Sequence, residues 1–291
     1  MAKIPEAKNS IVNLIDAHHA AGQGAPRSHL GASLLGKKCD RAIWLSFRWA
    51  VIEQFDGRVL RLFRRGHNEE DMILKDLKSI GIKISDSQAH VNFGYHVQGS
   101  ADAIIESGVP EAPTKRHVAE FKTHNKRSFD DLLKKGSVAE AKPEHFVQMQ
   151  VYMLGLGIDR GLYVAVCKDD DRMYVERVRL DKAVGEAATE RGRRLAMDDR
   201  LPPPISTDPS WFECKWCSAH TFCHKTKTST EWNCRTCRFV TPGDDGDWFC
   251  EIYEDEIPLD HQRKGCNRHE FNPDLVPFSE GWERINKDAF T

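Results

Sequence analysis

The apolar positions of this chain change period along its length, from the three-to-four spacing of helices to the two-residue spacing of strands and back again. Residues 8–20 form an amphipathic run. Asp40 reads as an N-cap before RAIWLSFRW, which puts Ile43, Trp44 and Phe47 on one side. Asp56-Gly57 opens a long helix to about Ile80, with Gly81 as its C-terminal stop. The apolar stripe of that helix runs Val59, Phe63, Leu74, Leu77. Its middle falls on His67 and Glu70, so two polar groups are expected to face inward where leucine would normally stand.

Extended structure is predicted next, over residues 88–98 and 99–106. Another strand follows over 117–123, after the turn-rich GVPEAPTKR. A helix over about 128–135 follows, with Ser128 as its expected cap, and Pro143 suits the first turn of another helix ending near Gly155. Residues 161–167 and 172–180 read as a β-hairpin around Lys168-Asp169-Asp170-Asp171, and a charged helix covers about 181–197. Pro202-Pro203-Pro204 makes a stiff break before a cysteine-rich tail. Helices and strands mixed in this order predict an α/β fold. Its expected form is a mixed sheet flanked by helices, with an N-terminal helical part and a small metal-bound C-terminal module.

Composition narrows this picture only slightly. The 291 residues are 40% hydrophobic, enough for a real core, and the formal charge of −2 leaves any nucleic-acid surface to local clusters. No apolar run reaches membrane-spanning length, and MAKIPEAKNS is too polar for a secretory signal. A reducing cytoplasm is the expected compartment. There the nine cysteines read as metal ligands rather than disulfides.

The candidate chemistry lies on the strand HVAEFKTH. Its alternation puts Val118, Glu120 and Lys122 on one face and Ala119 and Phe121 on the other. Asp102, in QGSADAII, stands on the preceding extended segment, and a hairpin-like connection would bring it beside Glu120. Two close carboxylates repel unless a cation sits between them, and hard divalent ions take such oxygen sites. A neighbouring lysine orients water or offsets charge on a phosphoryl group. Taken singly, Glu120 and Lys122 fit an exposed ion pair equally well, His67 a satisfied core histidine, and Tyr152 plain packing.

Asp102 followed by Glu120-Phe121-Lys122 resembles the signature of the PD-(D/E)XK nuclease superfamily. Ala101 replaces the usual proline, and Gly99-Ser-Ala-Asp102 is similar to the Gly-x-x-Asp pattern of its RecB-like branch. Gln148-Met-Gln-Val-Tyr152 resembles that branch's Q-x-x-x-Y motif, and Gly66-His67-Asn-Glu-Glu70 its first motif. The likeness runs over residues 30–224 and implies a restriction-endonuclease-like fold. It implies Mg²⁺ or Mn²⁺ held by Asp102, Glu120, the Phe121 carbonyl and His67, with Glu70 a further member. Lys122 would position the attacking water, and Gln148 and Tyr152 would contact the nucleic acid or brace the site.

Cys214, Cys217 and Cys223 form C-x₂-C-x₅-C, with Cys39 as the fourth thiol. This one-plus-three layout resembles the iron–sulfur nucleases, the AddB-type helicase–nucleases and the RecB-like exonuclease of CRISPR adaptation. It implies a structural [4Fe–4S] cluster shielded by Trp216 and Phe222; spacing by itself fits zinc as well. Beyond residue 225, Cys234-Arg-Thr-Cys237 and Cys266-Asn-Arg-His269 read as zinc knuckles, with Cys250 a fifth candidate and His261 a sixth. Residues 1–225 are thus expected to form a nuclease domain and 226–291 a zinc-binding module. Cys167 is expected to be an inert buried thiol.

Basic residues expected at DNA are Arg64, Arg65, Lys126 and Arg127, with His124 beside the scissile phosphate; Arg191, Arg193 and Arg194 form a further run. The resemblance implies a DNA exonuclease acting on single strands or duplex ends, of phage type, with a recombination or replication protein as partner. The competing expectations are a non-catalytic DNA-binding or assembly protein and an iron–sulfur redox protein. The complete Asp102, Glu120, Lys122 set weighs against the former, and the lack of a dinucleotide glycine fingerprint against the latter.

Overall fold

The computed structural model describes residues 10–276. Helix α1 (Ser10–Ala21) lies on the start of the long α3 (Gly57–Ser79), with the short α2 (Asp40–Phe47) between them in sequence. Gly57 makes that crossing possible, because a Cβ there would stand 2.0 Å from the Asp16 carbonyl oxygen. Asp56 caps α3 by accepting from Val59 N, and Gly81 turns the chain at φ +88°. At α2 the N-cap is Cys39 and Asp40 sits in the first turn. There Asp40 accepts from Arg191 Nε at 2.6 Å, so a tertiary partner claims the carboxylate expected to cap the helix.

The strands are β1 (Leu30–Gly31), β2 (Lys83–Asn92), β3 (Val97–Ser107), β4 (His117–His124), β5 (Arg160–Cys167) and β6 (Met173–Arg179). The sheet is mixed: β2, β4 and β6 run antiparallel to their neighbours β3, β3 and β5, whereas β1–β3 and β4–β5 are parallel. The break between β2 and β3 falls at residues 93–96, not at the expected 98/99. Val91, Phe93, Tyr95 and Val97 keep the strand alternation through a turn whose Gly94, Tyr95 and His96 all have positive φ.

Helices α4 (Lys126–Lys135), α5 (Val138–Ala141), α6 (Pro143–Leu156) and α7 (Lys182–Met197) complete the layers. Asn125, and not Ser128, caps α4, its side chain accepting from Ser128 N at 2.9 Å. The larger core lies between the sheet and α6 and α7, and includes Val118, Tyr163, Met149, Met153 and Leu195. The other face holds Ala103, Ala119, Phe121 and Val164 against Ile73 of α3, with Leu74 and Leu77 partly buried beside them. In the first half of α3, Phe63 is 43% exposed and meets Phe55 edge-on at 4.9 Å.

The chain after residue 225 shares its core with the rest. Its strands β7 (Val240–Pro242), β8 (Trp248–Cys250) and β9 (Asp255–Glu256) form a separate antiparallel sheet. Cys237, Val240 and Trp248 nevertheless belong to the large cluster. Arg235, between the paired cysteines Cys234 and Cys237, is buried. It donates to the carbonyls of Ser28 (2.8 Å) and Phe47 (3.0 Å) and to Gln262, with its guanidinium 3.7 Å from the Trp49 ring centre. A planar cation among aromatic faces replaces water by π-electron density and carbonyls, which holds the tail to the N-terminal helices.

Candidate active site

The site forms where the sheet forks. β2 covers one edge of β3 along nearly its full length. On the opposite edge β4 pairs with residues 103–105 and β1 with 97–98, leaving 99–102 between them without a ladder partner among the described residues. Asp102 stands at this fork, one step beyond the Ala103–Ala119 pair and hence opposite Glu120. Its Oδ2 accepts from Phe121 N at 2.7 Å, so a side chain meets the backbone donor that the diverging strand no longer serves. Gly99 is required by contact: a Cβ there would lie 2.8 Å from the Tyr152 ring and 2.9 Å from Ala32 Cβ.

Opposite Asp102, Glu120 is fully buried. One carboxylate oxygen accepts from Lys122 Nζ, which also donates to the Phe121 carbonyl at 3.2 Å; the other, Oε2, has no hydrogen-bond partner among the described residues. Burial pushes the Glu120 carboxyl up to about 8 against the pull of Lys122, and Asp102 adds to the rise. Asp102 is also raised by burial, with Lys122 and the Phe121 N–H opposing. Glu70 is raised by burial and then by Asp102. For Lys122 burial acts against the charge, but Glu120 and Asp102 outweigh it, so the ammonium is held.

Glu70, Asp102 and Lys122 open on a polar cavity of about 740 Å³ that His67, Gln148 and Tyr152 also line. The expected site residues of four separate elements therefore meet in one place. His67 stands at the exposed rim, not inside the helix layer. Gln148 and Tyr152 are both buried one turn apart on α6 at a long 3.4 Å contact, and burial, then Glu120, pushes Tyr152 up to about 12. The cavity also takes in Arg27, His29, His90 and His145, which the sequence reading passed over. His145 had a signal, since it precedes Gln148 by three residues on the same helical face.

His124, expected at the scissile phosphate, is turned inward. Its ring bonds Tyr163 Oη at 2.9 Å and Ser128 Oγ at 3.1 Å, and burial lowers it to about 4. Of the basic residues, Arg65 donates to the Lys168 carbonyl, Arg64 lies beside His19, and Lys126 pairs with Asp130. Arg127 is exposed at the start of α4. The Arg191–Arg194 run is structural in large part: Arg191 and Arg194 face Asp40, and Arg193 donates to the Phe93 carbonyl.

The cysteines gather in their two expected neighbourhoods. Burial raises the Cys214 thiol, and the nearby Cys39 and Cys217 add to the rise. Burial does the same at Cys223, where Arg41 opposes it and Cys217 and Cys39 reinforce it. Phe222 is buried beside this set with Trp44 and Leu45, whereas Trp216, expected to shield it, is 76% exposed. In the tail, burial pushes Cys234 up to about 11, with Cys266, Cys237 and Cys250 contributing. His269 bonds Thr236 Oγ1 at 3.0 Å and lies 4.2 Å from the Trp232 ring. Among the described residues no group of three or more His, Cys, Asp or Glu is closed to the geometry of a held metal ion. Cys167 is buried in β5, as expected.

No model of a known protein family matches the sequence, and no curated protein does. Among solved structures, SSO0001 is 18% identical with a TM-score of 0.45, over 73% of this chain and 95% of that one. The alkaline exonuclease LHK-Exo of Laribacter hongkongensis is 16% identical with a TM-score of 0.43, over 63% and 90%. A phage-related exonuclease of Haemophilus somnus 129PT is 15% identical with a TM-score of 0.34, over 46% and 68%. At these identities and scores the likeness carries nothing about residues or chemistry. The mixed sheet flanked by helices stands on the strand pairing itself.

Proposed function

We propose that this chain is a divalent-metal-dependent DNA nuclease, an exonuclease hydrolysing phosphodiester bonds at single strands or duplex ends. The observation that supports it is the pair Asp102 and Glu120, facing one another at the fork with Lys122 alongside and Glu120 Oε2 unpartnered in the interior. An orphaned buried carboxylate oxygen is costly, and it suits a hard cation by donor chemistry. Asp102 and Glu120 would hold Mg²⁺ or Mn²⁺, with the Phe121 carbonyl, Glu70 and His67 as further donors. Bound there, such an ion polarises a phosphoryl oxygen and acidifies a water.

The remaining work falls to the chain's own groups. Lys122 stays protonated between the carboxylates and the cavity, where it orients the attacking water and offsets negative charge on the phosphate. Gln148 and Tyr152 brace the wall that a strand would pass, and Arg64, Arg65, Lys126 and Arg127 would meet its phosphates. The first cysteine set would carry a [4Fe–4S] cluster joining α2 to the tail. Four of Cys234, Cys237, Cys250, Cys266 and His269 would carry zinc. The task in view is DNA end processing or recombination by a phage-type enzyme in a bacterial cytoplasm, with a recombination or replication protein as partner.

The test is cleavage of labelled single- and double-stranded DNA in Mn²⁺ or Mg²⁺ by the wild-type chain, Asp102→Ala and Lys122→Ala. Each variant is expected to lose activity by at least about 100-fold. Cleavage kept by both rejects the site; binding of DNA by a wild-type protein that never cleaves it leaves the non-catalytic reading instead.

A further inference from the structure

A hydrogen-bonded chain that no nuclease motif includes runs behind Lys122 and ends in the cavity. Ser128 Oγ lies 3.1 Å from His124 Nδ1, His124 Nε2 lies 2.9 Å from Tyr163 Oη, and Tyr163 Oη lies 2.9 Å from His145 Nδ1. The two imidazoles stack with centroids 5.7 Å apart. Tyr163 is placed by its strand: it pairs in register with Glu120 across β4 and β5 and is itself fully buried. His145 is the member that lines the cavity, beside Lys122 and Gln148. With Nδ1 committed to Tyr163, Nε2 is the ring nitrogen left for whatever enters.

We propose that His145 is a substrate-binding residue of this site: a neutral imidazole that donates its Nε2–H to a phosphate oxygen of the bound strand, with Tyr163 and His124 as the positioning residues that fix its tautomer. The inference rests on the nuclease reading for the identity of the ligand, a phosphodiester. Each neutral imidazole carries one N–H and the tyrosine one O–H; because the buried Tyr163 O–H must itself donate to one of the two rings, the donors run the same way along the chain. In one order Ser128 donates to His124, His124 to Tyr163, Tyr163 to His145, and His145 to the cavity. In the reverse order His145 Nε2 is an acceptor. A phosphodiester oxygen accepts only, so its arrival selects the first order, and a hydroxyl that donates to Nδ1 holds the proton on Nε2. Both rings are kept neutral by burial, with Lys122 and Lys142 acting in the same sense. A neutral donor suits a site that already holds an ammonium, since it adds direction without another buried charge.

The experiment measures cleavage of a labelled oligodeoxynucleotide in Mn²⁺, and its binding by fluorescence anisotropy in Ca²⁺. The proteins are wild type, His145→Ala, His145→Gln, Tyr163→Phe and the Tyr163→Phe/His145→Gln pair. Removing one hydrogen bond to a charged group is expected to weaken binding and kcat/KM about 10- to 100-fold in His145→Ala. His145→Gln, whose amide nitrogen replaces Nε2, is expected to restore most of it. Tyr163→Phe should weaken binding when His145 is present and change nothing further in the His145→Gln background, a coupling that loss of packing alone does not give. Binding by His145→Ala within twofold of wild type overturns the proposal, as does an equal Tyr163→Phe effect in both backgrounds. Should His145→Ala fail to fold, the His145→Gln and Tyr163→Phe cycle decides. Wild-type protein that binds in a His145-dependent manner without ever cleaving sinks the nuclease reading and keeps the contact; wild-type protein that neither binds nor cleaves sinks both.

Discussion

Replacing Lys122 by methionine keeps an unbranched side chain one atom shorter and removes its charge. The ammonium makes a charge-assisted hydrogen bond to the buried Glu120 and another to the Phe121 carbonyl. The first is worth about 1.5–3 kcal/mol and the second about 0.5–1.5 kcal/mol. Without the ammonium, Asp102 and Glu120 face each other in the interior with only protons to neutralise them, so the metal-free variant should lose about 2–4 kcal/mol. For a chain of this size that lowers the melting temperature by roughly 4–8 °C. The informative part is the response to metal. A divalent ion supplies the positive charge that Lys122 supplied, so Mn²⁺ should raise the melting temperature of Lys122→Met more than that of the wild type, while cleavage stays lost. The assay is thermal unfolding with and without Mn²⁺, with binding followed by calorimetry. A variant that melts with the wild type when metal-free, or gains no more from Mn²⁺ than the wild type does, would falsify the electrostatic account of this site.

Glu120 predicts a pH dependence whose sign follows from its raised carboxyl. The folded metal-free protein binds a proton that the unfolded chain releases between the ordinary value of 4.5 and about 8, so this contribution is full below that window and lost as pH rises through it. Urea unfolding of metal-free wild type should show falling stability across the window and Glu120→Gln should flatten it; parallel curves would contradict the assignment. Gly99→Ala puts a Cβ 2.8 Å from the Tyr152 ring and should cost about 1–3 kcal/mol and displace Tyr152. Unchanged melting and cleavage would show that the wall gives way freely. Arg235→Ala removes donors from the Ser28 and Phe47 carbonyls and from Gln262, and should destabilise the chain by about 3–5 kcal/mol in a single transition, since the tail shares the main core. Separate melting of the tail in calorimetry would refute that.

The long helix from Asp56 to Gly81, the hairpin around Asp169 and the helix opened by Pro143 were legible because each is punctuated by a local signal: a cap, a turn, or a residue with fixed φ. The Asp102–Glu120 encounter was legible for a related reason. Period-two alternation and a hairpin order leave few registers, and the observed one is among them. What failed was everything that depended on which neighbour wins a polar group. Asp40 lost its capping role to Arg191, and His124 turned from the cavity toward Tyr163. The turn at residues 93–96 was hidden because its apolar spacing imitates a strand.

The sequence by itself determined the period of each element, the order in which acidic, basic and cysteine groups occur, and the face on which Glu120 and Lys122 sit. Those are properties of neighbours a few residues apart, and they follow from backbone geometry alone. Only the tertiary structure decided that β3 forks between β1 and β4, that His145 joins the site through Tyr163, and that the tail enters the main core. Each of these depends on burial and on competition among distant partners for the same donors and acceptors. No spacing rule along one chain encodes the outcome of that competition.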